Sequence, residues 1–199
     1  MYLYSPQTAS ENEVKNLVLE NLQTVSGLIP SCCTKEIFEG FKKVKKLKIA
    51  GKPGEFHSEI GWHNNLKYLE ALEALTVAVR YGESSDNVPC LINPSIGSFP
   101  PNLKKLKLVR TQLSWNCINI FSKLPNLEVL ELKEFASLGE DWEVTEAGFP
   151  KLKFLLLEYL DLHYWTSTDD CFQCLERVYI RDCDNLQKIP EEFADSVTL

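Results

Sequence analysis

The sequence predicts an α/β solenoid, because one short apolar pattern returns about seven times along the 199 residues. An apolar residue is followed by two others, a second apolar residue, one other and a third apolar residue. The copies occupy residues 14–19, 44–49, 72–77, 103–108, 127–132, 152–157 and 175–180. Successive copies begin 30, 28, 31, 24, 25 and 23 residues apart. This pattern and period are typical of a leucine-rich repeat.

Each copy predicts one short strand, because a brief apolar run bounded by turn residues fits a buried β-strand. The expected strands lie near 14–20, 44–50, 72–78, 103–109, 127–133, 152–158 and 175–181. Positions 1, 4 and 6 of each copy face a shared core, and positions 3, 5 and 7 face the other side. Stacked copies then form a parallel β-sheet on the concave face, with irregular loops and short helices on the convex face.

Three prolines support this phasing of the strands. Pro101, Pro125 and Pro150 each stand two residues before the first core leucine of a copy. Proline has no backbone N–H to give to a ladder, so it belongs before a strand rather than within it. Apolar residues at 99, 124 and 149 precede these prolines and are expected to fill the convex side.

Composition narrows the class of protein. The net charge is −7, with +3 over residues 1–110 and −10 over residues 111–199, which disfavours nucleic acid as a partner. The chain contains no run of 18 apolar residues, so no membrane span is predicted. The N-terminus lacks a secretory signal pattern. Seven cysteines, an odd number, favour reduced thiols and a cytoplasmic location.

No enzyme, metal site or cofactor site is predicted in this chain. Cys171 and Cys174 have the spacing of a CxxC pair, but a structural zinc site needs four ligands and no second pair has that spacing. The three histidines are scattered, and the acidic pairs stand in polar loops. We therefore expect structural thiols and solvated carboxylates.

The outward positions of the strands are the candidate binding residues. The middle copies present lysines, and the last two present aromatic and apolar side chains beside arginines, the residue types that dominate binding hot spots. The candidates are Lys46, Lys48, Lys105, Lys107, Phe154, Leu156, Arg177, Tyr179 and Arg181.

The last copies also resemble a known family. Residues 149–157, FPKLKFLLL, and the run from Cys183 through Leu186 to Ile189 and Pro190 match the repeat of plant cytosolic proteins, LxxLxLxxCxxLxxIP. The chain resembles the C-terminal repeats of plant intracellular nucleotide-binding leucine-rich-repeat immune receptors of the coiled-coil class. The likeness is to the late-blight-resistance and helper types of the nightshade family, and it spans residues 12–199.

The resemblance implies a single leucine-rich-repeat domain over residues 1–199, an uncapped fragment of a longer receptor. It implies autoinhibition of the receptor's nucleotide-binding module, and pathogen-effector sensing or immune signalling in plant defence. The implied partners are proteins: that module, a pathogen effector or another immune receptor. ATP or ADP is expected only in the parent's nucleotide-binding domain, because no GxxxxGK[ST] loop occurs in this chain.

Two other functions fit the repeat. One is the substrate-binding solenoid of an F-box ubiquitin-ligase adaptor, whose repeats have similar lengths and free cysteines. The other is a scaffold with no switching role. A secreted receptor is disfavoured, because the chain lacks a regular Gly-Xaa-Ile-Pro return motif.

Overall fold

Parallel strands make up most of the regular structure, and the helices are few and short, which is compatible with the α/β class. The computed structural model describes residues 21–56, 61–81, 95–193 and 197–198. The chain divides into two compact units, Met1–Leu103 and Lys104–Leu199. The expectation of a single domain stays a prediction.

The first unit contains three parallel strands in the order β1, β2, β3. They are β1 (Thr24–Leu28), β2 (Lys46–Gly51) and β3 (Ala74–Val79). Helix α1 (Lys35–Glu39) follows β1, and the Thr34 hydroxyl caps it by accepting a hydrogen bond from the Ile37 N–H at 3.4 Å. Short 3₁₀ helices cover Pro30–Cys32, Pro53–Phe56, Trp62–Tyr68 and Ile96–Ser98.

Strand β1 was not predicted from the sequence. The predicted strand near 14–20 lies outside the described residues. Within the described part of the chain, β2 pairs with β3 on one side and with Thr24–Leu28 on the other, where Val25 stands opposite Leu47. Its sequence, TVSGL, lacks the leucine pattern and contains Gly27 at a φ of +78°, where the register shifts.

The second unit contains a five-stranded parallel sheet in the order β4, β6, β9, β11, β12. These strands are β4 (Lys105–Val109), β6 (Val129–Lys133), β9 (Phe154–Glu158), β11 (Arg177–Arg181) and β12 (Val197–Thr198). Two further parallel pairs join β5 (Leu113–Ser114) to β7 (Ser137–Leu138), and β8 (Asp141–Val144) to β10 (Tyr164–Ser167). Helix α2 (Trp115–Phe121) and a 3₁₀ helix at Glu191–Phe193 complete the unit.

Equivalent leucines of successive copies lie opposite one another in this sheet. Leu106, Leu130, Leu155 and Val178 pair across β4, β6, β9 and β11, and all four have no exposed surface. Leu108, Leu132, Leu157 and Ile180 form a second buried row. Burying each such side chain stabilises the fold by about 1.5–3 kcal/mol, so the repeated leucines are the core of the sheet.

For the six copies that the structure describes, the strand begins two residues after the first apolar residue of the copy. The N–H groups of Leu127, Leu152 and Leu175 donate to carbonyls three residues earlier, in a turn, and so take no part in the ladder. Ladder bonds start with the following residue, as in Glu128 N–H to the Lys104 carbonyl at 2.8 Å. The first leucine is still buried at Leu127 and Leu152, because the turn directs it inward.

A stack of aromatic rings lies in the segments that connect the strands of this sheet, which we call the return segments. Trp115, Trp142, Trp165 and Phe193 stack in succession, with ring centroids 4.8, 5.4 and 5.4 Å apart. Phe149 and Phe172 stack beside them at 5.1 Å and meet Trp142 edge-on. Such pairs add about 0.5–1.5 kcal/mol beyond the area they bury, so this aromatic stack joins successive return segments of the second unit.

Candidate protein-interaction surface

The outward side chains of four strands of the second unit form three rows, because alternate residues of a strand face the same side. The first row is Lys105, Val129, Phe154 and Arg177; the second is Lys107, Glu131, Leu156 and Tyr179; the third is Val109, Lys133, Glu158 and Arg181. Seven of the nine candidate residues therefore lie on one sheet face.

The lysines of this face are paired with carboxylates. Lys105 and Lys107 both form ion pairs with Glu131, the second at 3.3 Å. Burial opposes ionisation of Glu131, but hydrogen bonds and charge from Lys105 and Lys107 outweigh it, so the pKa of this carboxyl lies below its ordinary value. Lys133 pairs with Glu158 at 2.9 Å. The lysines on the β4 and β6 part of the face are thus paired with carboxylates of the same face.

The β9 and β11 part of the face contains aromatic rings and arginines in place of ion pairs. Phe154 and Tyr179 contact each other with ring centroids 5.4 Å apart. The guanidinium of Arg177 lies over the Phe154 ring at 5.7 Å, and that of Arg181 lies over the Tyr179 ring at 5.8 Å. Phe154, Arg177, Tyr179 and Arg181 form what we call the arginine–aromatic cluster.

Both arginines of this cluster lack a carboxylate partner among the described residues. Arg177 and Arg181 are exposed, Phe154 and Tyr179 are half-buried, and neither guanidinium donates a hydrogen bond to a described group. A guanidinium over a ring has no charge partner there, so its N–H groups can still donate to a carboxylate. The cluster therefore offers two oriented, unneutralised cations on an aromatic base.

Leu156 is less accessible than the alternation of side chains suggests. It points to the outward side of β9, but only 7% of it is exposed. Its register partners are Glu131 on one side and Tyr179 on the other. A partner would touch Phe154 and Tyr179 before it reached Leu156.

Lys46 and Lys48 belong to the first unit. Both are exposed on β2, with Ala74 and Thr76 opposite them on β3. Neither takes part in an ion pair with a described residue, in contrast to their neighbour Lys45, which pairs with Glu73 at 3.6 Å. They form a small basic surface of their own unit.

The described cysteines and histidines are not assembled into a reactive centre. No group of three or more histidine, cysteine or acidic side chains suited to a metal occurs in residues 21–56, 61–81 and 95–193. Cys171 is buried and donates to the Val144 carbonyl at 3.4 Å, whereas Cys174 is exposed. Burial raises the pKa of Cys33 well above its ordinary value, which keeps that thiol protonated.

The ends of the strands carry a feature that sequence reasoning missed. Arg110, Glu134, Tyr159 and Asp182 each follow a strand of the second unit and have φ between 50° and 56°. Tyr159 is half-exposed, and the charge of the adjacent Asp182 raises its pKa. Phe135 also has a positive φ and is 53% exposed. Left-handed backbone is uncommon for such residues, and no residue type in the leucine pattern signals it.

Within the stretches that the structure describes, no helix is long and apolar enough to cross a membrane. The search against protein-family models found no match.

Comparison with curated proteins identifies relatives among plant resistance proteins. The chain is 42% identical over 102 residues to the late blight resistance protein R1-A of Solanum demissum. It is also 42% identical over 102 residues to the late blight resistance protein homolog R1B-16, and 46% identical over 78 residues to the homolog R1B-11, both of that species.

The two longer matches cover 50% of this chain and 8% of each relative, and the third covers 38% and 6%. The chain thus spans a small part of the length of the relatives it matches. The resemblance that the repeats suggested is confirmed: half of this chain is homologous to the late blight resistance proteins of Solanum demissum.

Proposed function

We propose that this chain is a leucine-rich-repeat protein-interaction region of a plant intracellular immune receptor. The observation that carries the proposal is identity of about 40% with late blight resistance proteins over half the chain. The strand spacing supports it, because register partners in β4, β6, β9 and β11 stand 24, 25 and 23 residues apart. Parallel strands at this period, with leucine rows inside, suit a leucine-rich-repeat solenoid.

In this proposal the region binds proteins and performs no catalysis. It contributes to autoinhibition of the receptor's nucleotide-binding module, and to effector sensing or immune signalling. ATP or ADP is held by that module and not by this chain. A repeat that contacts the resting state better than the active state shifts the equilibrium toward rest, and a signal that removes the preference releases the receptor.

The arginine–aromatic cluster is the proposed contact surface. Tyrosine and arginine are enriched among residues that dominate binding energy, and here each arginine already lies over a ring. The lysines of β4 are engaged with Glu131 and offer less to a partner.

The proposal is tested with the full-length receptor carrying Phe154→Ser and Tyr179→Ser. We expect altered capture of the separately expressed nucleotide-binding module, or autoactive cell death in leaves. Tyr164→Ser is the control, because Tyr164 is likewise an aromatic residue at the surface, 40% exposed, but lies on β10, outside the cluster. Unchanged capture and unchanged activity in the double variant would contradict the proposal.

A further inference from the structure

The cations on the outward face of the second unit fall into two groups. Lys105, Lys107 and Lys133 each contact a carboxylate of a neighbouring strand. Arg177 and Arg181 lie over rings instead, and neither guanidinium forms an ion pair with a described carboxylate. The lysines of this face are therefore paired within it, whereas the two arginines are available to negative charge on a partner.

The spacing of the two arginines limits what can bind them together. They stand four residues apart on β11, with Tyr179 midway between them. At about 3.3 Å per residue in a strand, their Cα atoms lie about 13 Å apart. An extended polypeptide has the same repeat, so its residues i and i+4 match the two arginines and its residue i+2 faces Tyr179.

The neighbouring charges limit the site at its Arg181 end. Glu158 stands opposite Arg181 in register, but Lys133 already holds it at 2.9 Å. Asp182 directly follows Arg181, and Asp184 stands two residues further along. Negative charge on a ligand is therefore favoured over Arg177 and Arg181 and disfavoured beyond Arg181.

We propose that the arginine–aromatic cluster binds an extended acidic segment of a partner protein, with two carboxylate side chains four residues apart and an apolar side chain between them. The inference rests on the proposed function, since it names the chemistry of the partner at that surface. Each carboxylate accepts hydrogen bonds from the free edge of one guanidinium. The apolar side chain packs on the exposed edges of Tyr179 and Phe154.

Single-stranded nucleic acid fits this cluster less well. Bases bind such surfaces by stacking on aromatic faces, but here a guanidinium lies over each of the two rings. A phosphate chain also continues its charge beyond Arg181, toward Asp182, in a half of the chain with net charge −10. Two carboxylates on a short segment avoid that repulsion.

The test uses the 199-residue chain and blocked, fluorescein-labelled peptides, followed by fluorescence anisotropy. The matched peptide contains Glu-Ser-Phe-Ser-Glu, and a control of the same composition places the two glutamates side by side. We expect the matched peptide to bind at least fivefold more tightly than the control. Binding should weaken as salt is raised, because the contacts are between exposed charges.

Charge reversal gives the decisive comparison. Arg177→Glu with Arg181→Glu should weaken the matched peptide at least tenfold and create binding of the reversed peptide, Lys-Ser-Phe-Ser-Lys. Lys151→Glu with Lys188→Glu is the control, because it changes the net charge equally at exposed sites outside the sheet face. This control should leave the affinity for the matched peptide within about twofold, since distant exposed charges are screened.

Three outcomes would overturn the inference. They are equal binding of the matched and control peptides, equal weakening by the two charge-reversal pairs, and binding of a short oligonucleotide through Arg177 and Arg181 in place of the acidic peptide. The receptor experiment with Phe154→Ser and Tyr179→Ser separates this inference from the proposed function. If that double variant alters the receptor but one of the three outcomes is found, the cluster still binds a partner and only the acidic segment is rejected as its ligand. Failure of both experiments rejects the surface itself.

Discussion

Trp142 stacks on Trp165 with ring centroids 5.4 Å apart and ring planes 16° from parallel. The two residues are register partners in β8 and β10, and both are fully buried. Trp115 covers the other side of Trp142 at 4.8 Å, and its indole N–H donates to the Gly139 carbonyl at 2.7 Å. Successive copies of the second unit are therefore joined by stacked rings between their return segments as well as by leucine rows between their strands.

Replacing Trp142 should destabilise the second unit severely. Trp142→Ala removes a ring with stacking partners on both sides, and we expect a loss of about 3–5 kcal/mol in the free energy of unfolding. Urea unfolding followed by far-UV circular dichroism measures it. Phe135→Ala is the control, because Phe135 is 53% exposed, and it should change stability by less than about 0.5 kcal/mol. Equal effects of the two changes would show that the stack does not support the fold.

Gly148 is predicted to tolerate no side chain. A Cβ atom there would lie 2.6 Å from a Val144 methyl group and 3.2 Å from the Thr145 carbonyl. Gly148→Ala should cost about 1–3 kcal/mol, as for overpacking of a filled site. Gly54→Ala is the matched control, because nothing lies within 4 Å of its Cβ position.

A second substitution tests the cause of the Gly148 effect. Val144→Ala removes the nearest methyl group, so the double variant should be less destabilised than the sum of the two single variants. Thermal unfolding of the four proteins gives this comparison. Strict additivity would contradict the predicted collision between Gly148→Ala and Val144.

The sequence predicted the leucine rows and missed the aromatic stack, for a geometric reason. Leu130 and Leu155 occupy the same place in neighbouring copies, so their pairing follows from the repeat itself. Members of the stack stand 12, 15, 13 and 18 residues after the first leucine of their copies, at Trp115, Trp142, Trp165 and Phe193. Return segments of unequal length bring them together, and no fixed spacing reveals this.

The sequence predicted which residues form the candidate surface, but not how they are paired or how far they are exposed. Alternation along the strands places Lys105, Leu156 and Arg177 on one side, as the register has them. It does not show that Glu131 neutralises Lys105, or that only 7% of Leu156 is exposed. Those properties depend on which residues stand opposite and diagonal across three strands, and the pattern within one copy carries no such information.

Burial should decide the strength of two ion pairs with the same length. Lys133–Glu158 and Lys123–Glu146 both have an N–O distance of 2.9 Å. The side chains of the first pair are 19% and 17% exposed, and those of the second are 44% and 79% exposed. Exposed pairs are weakened by water and salt, whereas screened pairs keep more of their attraction.

Double-mutant cycles measure this difference directly. Lys133→Met and Glu158→Gln should give a coupling energy of about 1–2 kcal/mol, and Lys123→Met and Glu146→Gln less than about 0.5 kcal/mol. Repeating both cycles in 0.5 M NaCl should reduce the second value proportionally more. Equal coupling in the two cycles would indicate that the sheet face is as well hydrated as the return loops.

Glu131 should make stability depend on pH in the acid range. Its side chain is 12% exposed. Burial works against the carboxylate, but Lys105 and Lys107 outweigh it, and the pKa is lowered in the folded state. A carboxyl with a lowered folded pKa stabilises the protein above its unfolded pKa of about 4.3, and this stability is lost as the pH falls through the folded value.

Glu131→Gln should therefore cost about 1–2 kcal/mol at pH 7, and the difference from the natural protein should shrink steadily below about pH 4.3. Urea unfolding at half-unit steps between pH 3 and pH 7 follows both proteins. Glu128→Gln is the control, because Glu128 pairs with Lys153 at 3.2 Å with both side chains more than a third exposed. Its effect should stay below about 0.5 kcal/mol at pH 7. If the Glu131→Gln difference were constant down to pH 3, the cost would come from packing of the amide and not from the two lysines.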